Sequence, residues 1–454
     1  MSIVAPSFIE HVKYELAEHK AFLEANTSYK KRRSNVATDK AKLELLKTAY
    51  EGMKVDYDYV FTKEEFKWYN AIDSYKINDM FSDAWDDFLL RNPDLNIRDV
   101  VTCEVEKSIN CKNPSLGHVN YYCEDCDKVF TVAFTCKSKF CTSCGIKYQM
   151  DRALSISEKL IDCIHRHAVF TIPEELRIYF RTVPKLVDVL FKAVEDTLLY
   201  MFNEINKSKN FVPGIILTLH TFGRDLKWNP HIHALVTEGG SAKNPAHTLD
   251  SWRIVTHFNY TFLRKSFQKT LLDRMKEALK EVISPKGYSN FKRLVNTLYR
   301  KYTDGFYVRA EPDYRDGKGA VKYLIRYFNR PAMASSRILF YDGDYVVYYY
   351  QRHEDDLYVM RKVHVDEFIK MLIIHIPEKN FKMLRYAGIY ASNSKCPLVI
   401  LLQKKLSSLC ISIMRQKANW RDRIIANFNR DPLICPHCKK RLEFLDYYIA
   451  PRAG

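Results

Sequence analysis

Residues 101–150 of this chain hold seven of its 12 cysteines, and that concentration constrains the fold more than any other feature. Two Cys-x-x-Cys pairs, Cys123 with Cys126 and Cys141 with Cys144, are separated by 14 residues, room for a small hairpin. Two such turns brought together supply four thiolates, the closed tetrahedral set of structural zinc. With few large apolar side chains of its own, the segment needs metal binding to contribute the stability a core would otherwise give. Cys103, Cys111, His118 and Cys136 lie in the same stretch and could furnish a second zinc site or be core. One or two structural Zn²⁺ ions are expected, with Lys128, Lys137, Lys139 and Lys147 facing a DNA backbone. Near the end, Cys435-Pro436-His437-Cys438 is another Cys-x-x-Cys with no second pair close in sequence. A metal half-site, a frayed turn and a redox-inert pair are all open for it.

Reading cysteines as ligands presumes a reducing compartment. Met1 to Tyr14 contain no apolar stretch of signal-peptide type, and no run of about 18 uncharged apolar residues appears, so a cytoplasmic, nucleoid-associated protein without a membrane span is expected. Lys and Arg number 71 against 54 Asp and Glu, a net charge of +17. Such an excess favours a polyanionic partner through counterion release, and 30 Tyr and 26 Phe offer faces for unpaired bases.

Four segments follow from the patterning. Residues 1–100 read as helical and basic, with Phe66, Trp68, Phe81, Trp85 and Phe88 at helical spacing for a core. Residues 101–150 form the cysteine module. Residues 165–340 alternate strand candidates (167–172, 214–221, 231–237 and 305–310) with helical stretches (183–205 and a basic one over 261–302), the latter reading as an insertion over about 241–304. Residues 341–454 form the C-terminal region. A hairpin over 336–363 turns at Asp342-Gly343-Asp344 and is followed by a helix over 365–374 and a basic tail.

The chemistry centres on Asn229-Pro230-His231-Ile232-His233. Alternate residues of a strand share a face, so His231 and His233 point together while Ile232 enters the core. Two adjacent imidazoles can hold one divalent cation and leave positions open for phosphate oxygens, although such a pair also occurs on solvated strands. A third ligand is needed. His220, ending the preceding strand, is preferred over Asp225 in the connecting loop, and could equally contact phosphate. Downstream, Tyr323-Leu324-Ile325-Arg326-Tyr327 stacks two phenols on one face of a helix starting near Gly319. A core tyrosine pair would give the same spacing. Lys322, Arg326 and Arg330 interleave with them, as a helix lying along a phosphate backbone would require. A phenol, with a free pKa of about 10, attacks phosphorus usefully only when a metal polarises the phosphate.

In this order the motifs resemble the HUH transposases with two catalytic tyrosines, specifically the insertion-sequence-91 family, over residues 100–445. The residues carrying the resemblance are Gly117-His118, Cys123-Glu124-Asp125-Cys126, Cys136, Cys141-x-x-Cys144 and His167-Ala168-Val169-Phe170-Thr171-Ile172-Pro173. It continues through His220-Thr221-Phe222-Gly223, Asn229-Pro230-His231-Ile232-His233, Tyr323 to Tyr327, Arg385-Tyr386-Ala387-Gly388 and Cys435-Pro436-x-Cys438. Two departures stand out: Lys139-Phe140 where the family often has Arg-His, and a long N-terminal hundred residues.

The resemblance implies an α/β (α+β) protein with an HUH-type antiparallel sheet flanked by helices, preceded by a zinc-binding module, to which the patterning adds a helical N-terminal region. It also implies Mg²⁺ or Mn²⁺ on His231 and His233, and attack by Tyr323 or Tyr327 on single-stranded DNA at element ends and target. A 5′-phosphotyrosine and a free 3′-hydroxyl would result. Alternatives are an HUH replication initiator, which shares the motif order, and a non-catalytic zinc-ribbon DNA-binding regulator, in which the histidines and tyrosines would not converge. Relaxases place the tyrosine before the histidines, and a hydrolase using the histidines alone leaves the tyrosine helix unexplained.

Overall fold

The structure is a computed structural model. It describes residues 35–69, 75–205, 211–242, 252–311, 332–391 and 431–450, apart from scattered positions between 143 and 162, residues 256–257 and residue 353, together with Arg421 and Ile425. The chain opens with α1 (Asn35–Glu51), β1 (Tyr59–Phe61), α2 (Lys63–Tyr69), α3 (Ile77–Arg91) and α4 (Asp99–Ile109). It continues through β2 (Gly117–Cys123), β3 (Lys128–Ala133), β4 (His165–Thr171), α5 (Glu174–Thr182) and α6 (Leu186–Ile205). Next come β5 (Phe211–Phe222), β6 (Trp228–Ala242), β7 (Trp252–Ile254), α7 (Tyr260–Leu279), α8 (Pro285–Lys301) and β8 (Val308–Glu311). The last are β9 (Ile338–Tyr341), β10 (Tyr345–Gln351), β11 (Tyr358–His364), α9 (Val365–Ile373), β12 (Leu384–Gly388) and β13 (Glu443–Ile449). The protein is α+β, and these strands pair antiparallel throughout.

Two compact units divide the chain, and neither is continuous in sequence. One gathers residues from 1–109, 224–227 and 332–376. Its sheet runs β1-β11-β10-β9, so the hairpin of the C-terminal half is completed by a strand from the N-terminal hundred residues. The turn between β9 and β10 falls at Asp342-Gly343-Asp344, as expected. Gly343 sits at φ +103, and the Asp342 carboxylate accepts the N–H groups of Asp344 and Tyr345. Phe66, Phe81, Trp85 and Phe88 are buried, consistent with their helical spacing; the side chain of Trp68 lies outside the described residues.

The second unit gathers residues from 110–223, 228–331 and 377–454. Its main sheet has the order β12-β5-β6-β4-β8, with β7 on β6. One face of this sheet carries Ala168, Phe170, Ile215, Leu217, Leu219, Ile232, Ala234 and Val236 into a core shared with α5, α6, α7 and α8. The other face carries Ile216 and Leu235 into a smaller cluster with Tyr390 and the 156–161 segment. The basic stretch over 261–302 is two helices rather than one. The chain breaks before Pro285, where the Ser284 hydroxyl accepts the Gly287 N–H. Leu263, Phe267, Leu271 and Leu272 of α7 join the main core, so these helices support the sheet directly. Gly388, in the Arg-Tyr-Ala-Gly motif, has φ +61 and no room for a Cβ beside the Pro213 carbonyl. A smaller sheet, β13-β2-β3, joins the cysteine-rich segment to the end of the chain. No described helix is long and apolar enough to cross a membrane.

Candidate active site and metal centres

β5 and β6 form a long hairpin whose register sets His220 opposite His231 and Thr218 opposite His233. Since Ile232 and Leu219 point into the helix-covered core, the three histidines emerge together on the opposite face. Their ligating nitrogens all lie within 4.8 Å of one another. Pro230 lies inside β6 instead of before it. The pairing with β5 is irregular between His220 and Phe222, and such a bulge tolerates a residue with no N–H.

Hydrogen bonds fix the rings. His231 Nδ1 lies 2.7 Å from the Asn229 carbonyl and donates to it, leaving Nε2 as a lone pair. That Nε2 is 3.1 Å from His233 Nε2, and His233 Nδ1 is 2.9 Å from His167 Nε2. The row admits two proton arrangements. In one, His233 Nε2–H donates to His231. In the other, His233 Nδ1–H donates to His167, and the Nε2 lone pairs of His231 and His233 face the same point, an arrangement that a bound cation or a hydrogen-bond donor relieves. Burial pushes His231 down to about 4, with the charge of Arg177 adding to the effect. Burial likewise pushes His167 down to about 3, with Arg309 and His231 adding. His233 is lowered well below the usual range by burial and by its three histidine neighbours. The imidazoles are therefore neutral at pH 7, as metal ligands must be.

His167, Arg177 and Arg309 were not singled out as site residues from sequence. The period-two alternation of β4 puts His167 on the face of Val169, but its contact with His233 depends on the register of β4 against β6. Arg177, on α5, has a buried Nε with no hydrogen-bond partner, a donor suited to an anion. Asp225 is not part of the cluster; its carboxylate accepts the Lys227 N–H in the turn after β5. Tyr323 and Tyr327, with Lys322, Arg326 and Arg330, lie outside the described residues.

The cysteines regroup. Cys141 and Cys144 join Cys111 and Cys136, whereas Cys123 and Cys126 join Cys435 and Cys438. The expected pairing of Cys123 and Cys126 with Cys141 and Cys144 is corrected accordingly: β2 runs antiparallel to β13 and brings the terminal Cys-x-x-Cys alongside. Sγ separations are 3.6 Å for Cys111–Cys144 and for Cys136–Cys144, 3.4 Å for Cys123–Cys438 and 3.9 Å for Cys126–Cys435. Four sulfurs about 2.3 Å from a central zinc would lie roughly 3.8 Å apart, so both groups fit zinc and neither is at disulfide distance. His118 and Cys103 belong to neither group. His118 Nδ1 bonds the Pro114 carbonyl at 2.7 Å, and Cys103 is exposed on α4.

A family model described as "Transposase zinc-binding domain" matches residues 80–172, and one described as "Putative transposase" matches residues 214–396, which contain the three histidines. The chain is 27% identical over 359 residues to the "Transposase for insertion sequence element IS801" of Pseudomonas savastanoi pv. phaseolicola, covering 77% of this chain and 84% of that one. It is 23% identical over 287 residues to "Putative transposase y4qJ" of Sinorhizobium fredii, covering 61% of this chain and 71% of that one. No solved structure matches it. The protein is thus a transposase with a zinc-binding domain, an enzyme whose substrate is DNA. It belongs to the insertion-sequence-91 family.

Proposed function

We propose that this transposase nicks single-stranded DNA at the ends of its element and transfers the strand to target DNA, by a rolling-circle route and a 5′-phosphotyrosine. The reading rests on the convergence of three imidazoles, His220, His231 and His233, on one face of an antiparallel sheet. This is the His-hydrophobe-His arrangement of the HUH enzymes. A Mg²⁺ or Mn²⁺ ion there would polarise the scissile phosphate and offset its developing charge. Imidazole alone is a poor set for such hard cations. Phosphate oxygens and water would complete it, so metal and DNA should bind each other's complex more tightly than the free protein.

Tyr323 or Tyr327 supplies the nucleophile. The phenolic oxygen bonds to phosphorus while the bond from phosphorus to the 3′ oxygen breaks. The proton given up by the phenol is matched by the one taken up by the leaving 3′-hydroxyl. One phosphodiester replaces another, so the exchange needs no ATP. Both tyrosines follow in sequence from β8, which lies against β4 and thus on the His167 side of the sheet. A second tyrosine allows a second strand to be cut before the first is released. Arg177 and Arg309 supply positive charge for the phosphate. A cytoplasmic enzyme working at the nucleoid fits this substrate.

A non-catalytic zinc-ribbon regulator would give the histidines no reason to meet, and their meeting weighs against it. The test is cleavage of labelled element-end oligonucleotides with Mn²⁺, in single- and double-stranded form. The proposal expects cuts in the single strand only, leaving 3′ ends that a polymerase extends. Equal cutting of the duplex, or 3′ ends that cannot be extended, would contradict it.

A further inference from the structure

Cys435 and Cys438 lie beyond the residues matched by either family model, yet their sulfurs meet those of Cys123 and Cys126. The two half-sites are built alike. Each Cys-x-x-Cys is followed directly by a residue in the left-handed region, Asp127 at φ 49 and Lys439 at φ 61. Neither is glycine; an Asp adopts this region readily, whereas it costs an ordinary side chain such as Lys439 about 1–2 kcal/mol. An ion pair joins the turns, from Lys440 Nζ to the Asp125 carboxylate. Beyond the turns, β13 pairs with β2 from Glu443 opposite Tyr122 to Ile449 opposite Gly117, and Asn120 donates to Asp446 at 2.7 Å.

Apolar burial does little to hold this terminal segment. Every residue of β13 is exposed, and between residues 431 and 450 only Cys435 and Leu442 are buried. A segment so exposed, pairing with residues more than 300 positions away, lacks the hydrophobic gain to offset the ordering it requires. Four thiolates at tetrahedral spacing can supply it through a metal.

We propose that Cys123, Cys126, Cys435 and Cys438 bind a structural zinc ion that clasps the segment carrying Cys435 and β13 to the cysteine-rich segment at β2. The Cys111, Cys136, Cys141 and Cys144 group is complete within its own segment and does not depend on the clasp. The small β-sheet beside the clasp is therefore finished only once the chain has been made through Ile449. A chain cut short before Cys435 keeps the local zinc group and loses the clasp. This proposal is independent of the tyrosine chemistry.

The test is zinc content, together with peptide-mapped alkylation of free thiols, on the full-length protein. Relative to wild type, Cys438→Ser and Cys123→Ser should each lose one zinc, and the double variant should also lose only one. In Cys438→Ser, Cys123 and Cys126 should become alkylated while Cys111, Cys136, Cys141 and Cys144 stay protected. Unchanged zinc with Cys123 and Cys126 still protected would overturn the clasp. A second measurement avoids substitution at the site: a protease site placed between residues 392 and 420 of otherwise wild-type protein is cut. The terminal fragment should remain with the rest of the chain in zinc and leave on chelation. Departure while zinc is present would equally overturn the proposal.

Discussion

The imidazole of His167 sets how His233 presents its lone pair. In the arrangement in which His167 Nε2, at 2.9 Å, is the acceptor, the His233 proton is held on Nδ1 and Nε2 is free for a cation. Loss of such an outer partner typically weakens metal binding about 10–100-fold. His167→Ala should therefore weaken Mn²⁺ binding to the DNA complex by that order while leaving the fold intact, as read by calorimetric titration and circular dichroism. Unchanged affinity would remove His167 from the site. The tyrosines separate differently. The Tyr323→Phe and Tyr327→Phe double variant should bind element-end DNA with wild-type affinity, by anisotropy, and cleave none of it. Wild-type cleavage by that variant would end the tyrosine assignment.

Helix α9 gives a pH-dependent prediction. The Asp366 carboxylate, in its first turn, accepts two hydrogen bonds from Arg91 at 2.7 and 3.0 Å and one from Asn92 at 3.2 Å. The Arg91 hydrogen bond above all lowers its pKa from the usual 3.8. A lowered carboxyl stabilises the fold fully above its unfolded value and loses that contribution as pH falls through the folded one. Asp366→Ala should cost about 1–2 kcal/mol near pH 7, since Arg91 is partly exposed. The gap from wild type should close below pH 3.8, as seen in urea melts at several pH values. A gap independent of pH would mean that the charge is not what stabilises.

Sequence made the elements legible wherever local pattern decides them. The period-two strands at 167–172 and 231–237, the helix at 365–374 and the Asp342-Gly343-Asp344 turn each carry their own signal. The regrouping of the cysteines did not, because the partner of Cys123 and Cys126 is chosen by the pairing of β13 with β2. Spacing along the chain favours the nearest pair, and nothing local in Cys435-Pro436-His437-Cys438 reveals that β2 lies beside it. The same holds for His167, whose role rests on the register of neighbouring strands, and for β1, which completes a sheet made mostly of residues beyond 337.

For the whole molecule, a net charge of +17 favours a polyanionic partner, and a transposase acts on DNA. Binding should weaken steeply with salt, the logarithm of affinity falling linearly with the logarithm of salt concentration as counterions are released. A salt-independent affinity in an anisotropy series would contradict a phosphate-led interface. The most direct test of the nuclease reading is a covalent trap. The protein is incubated with Mn²⁺ and end-labelled single-stranded DNA from its own element ends, then separated on a denaturing gel. A labelled band at the mass of protein plus DNA is predicted, absent in His231→Ala and in the double tyrosine variant, both of which still bind the DNA. DNA bound by the wild-type protein with no covalent band, or a band that persists in both variants, would contradict it.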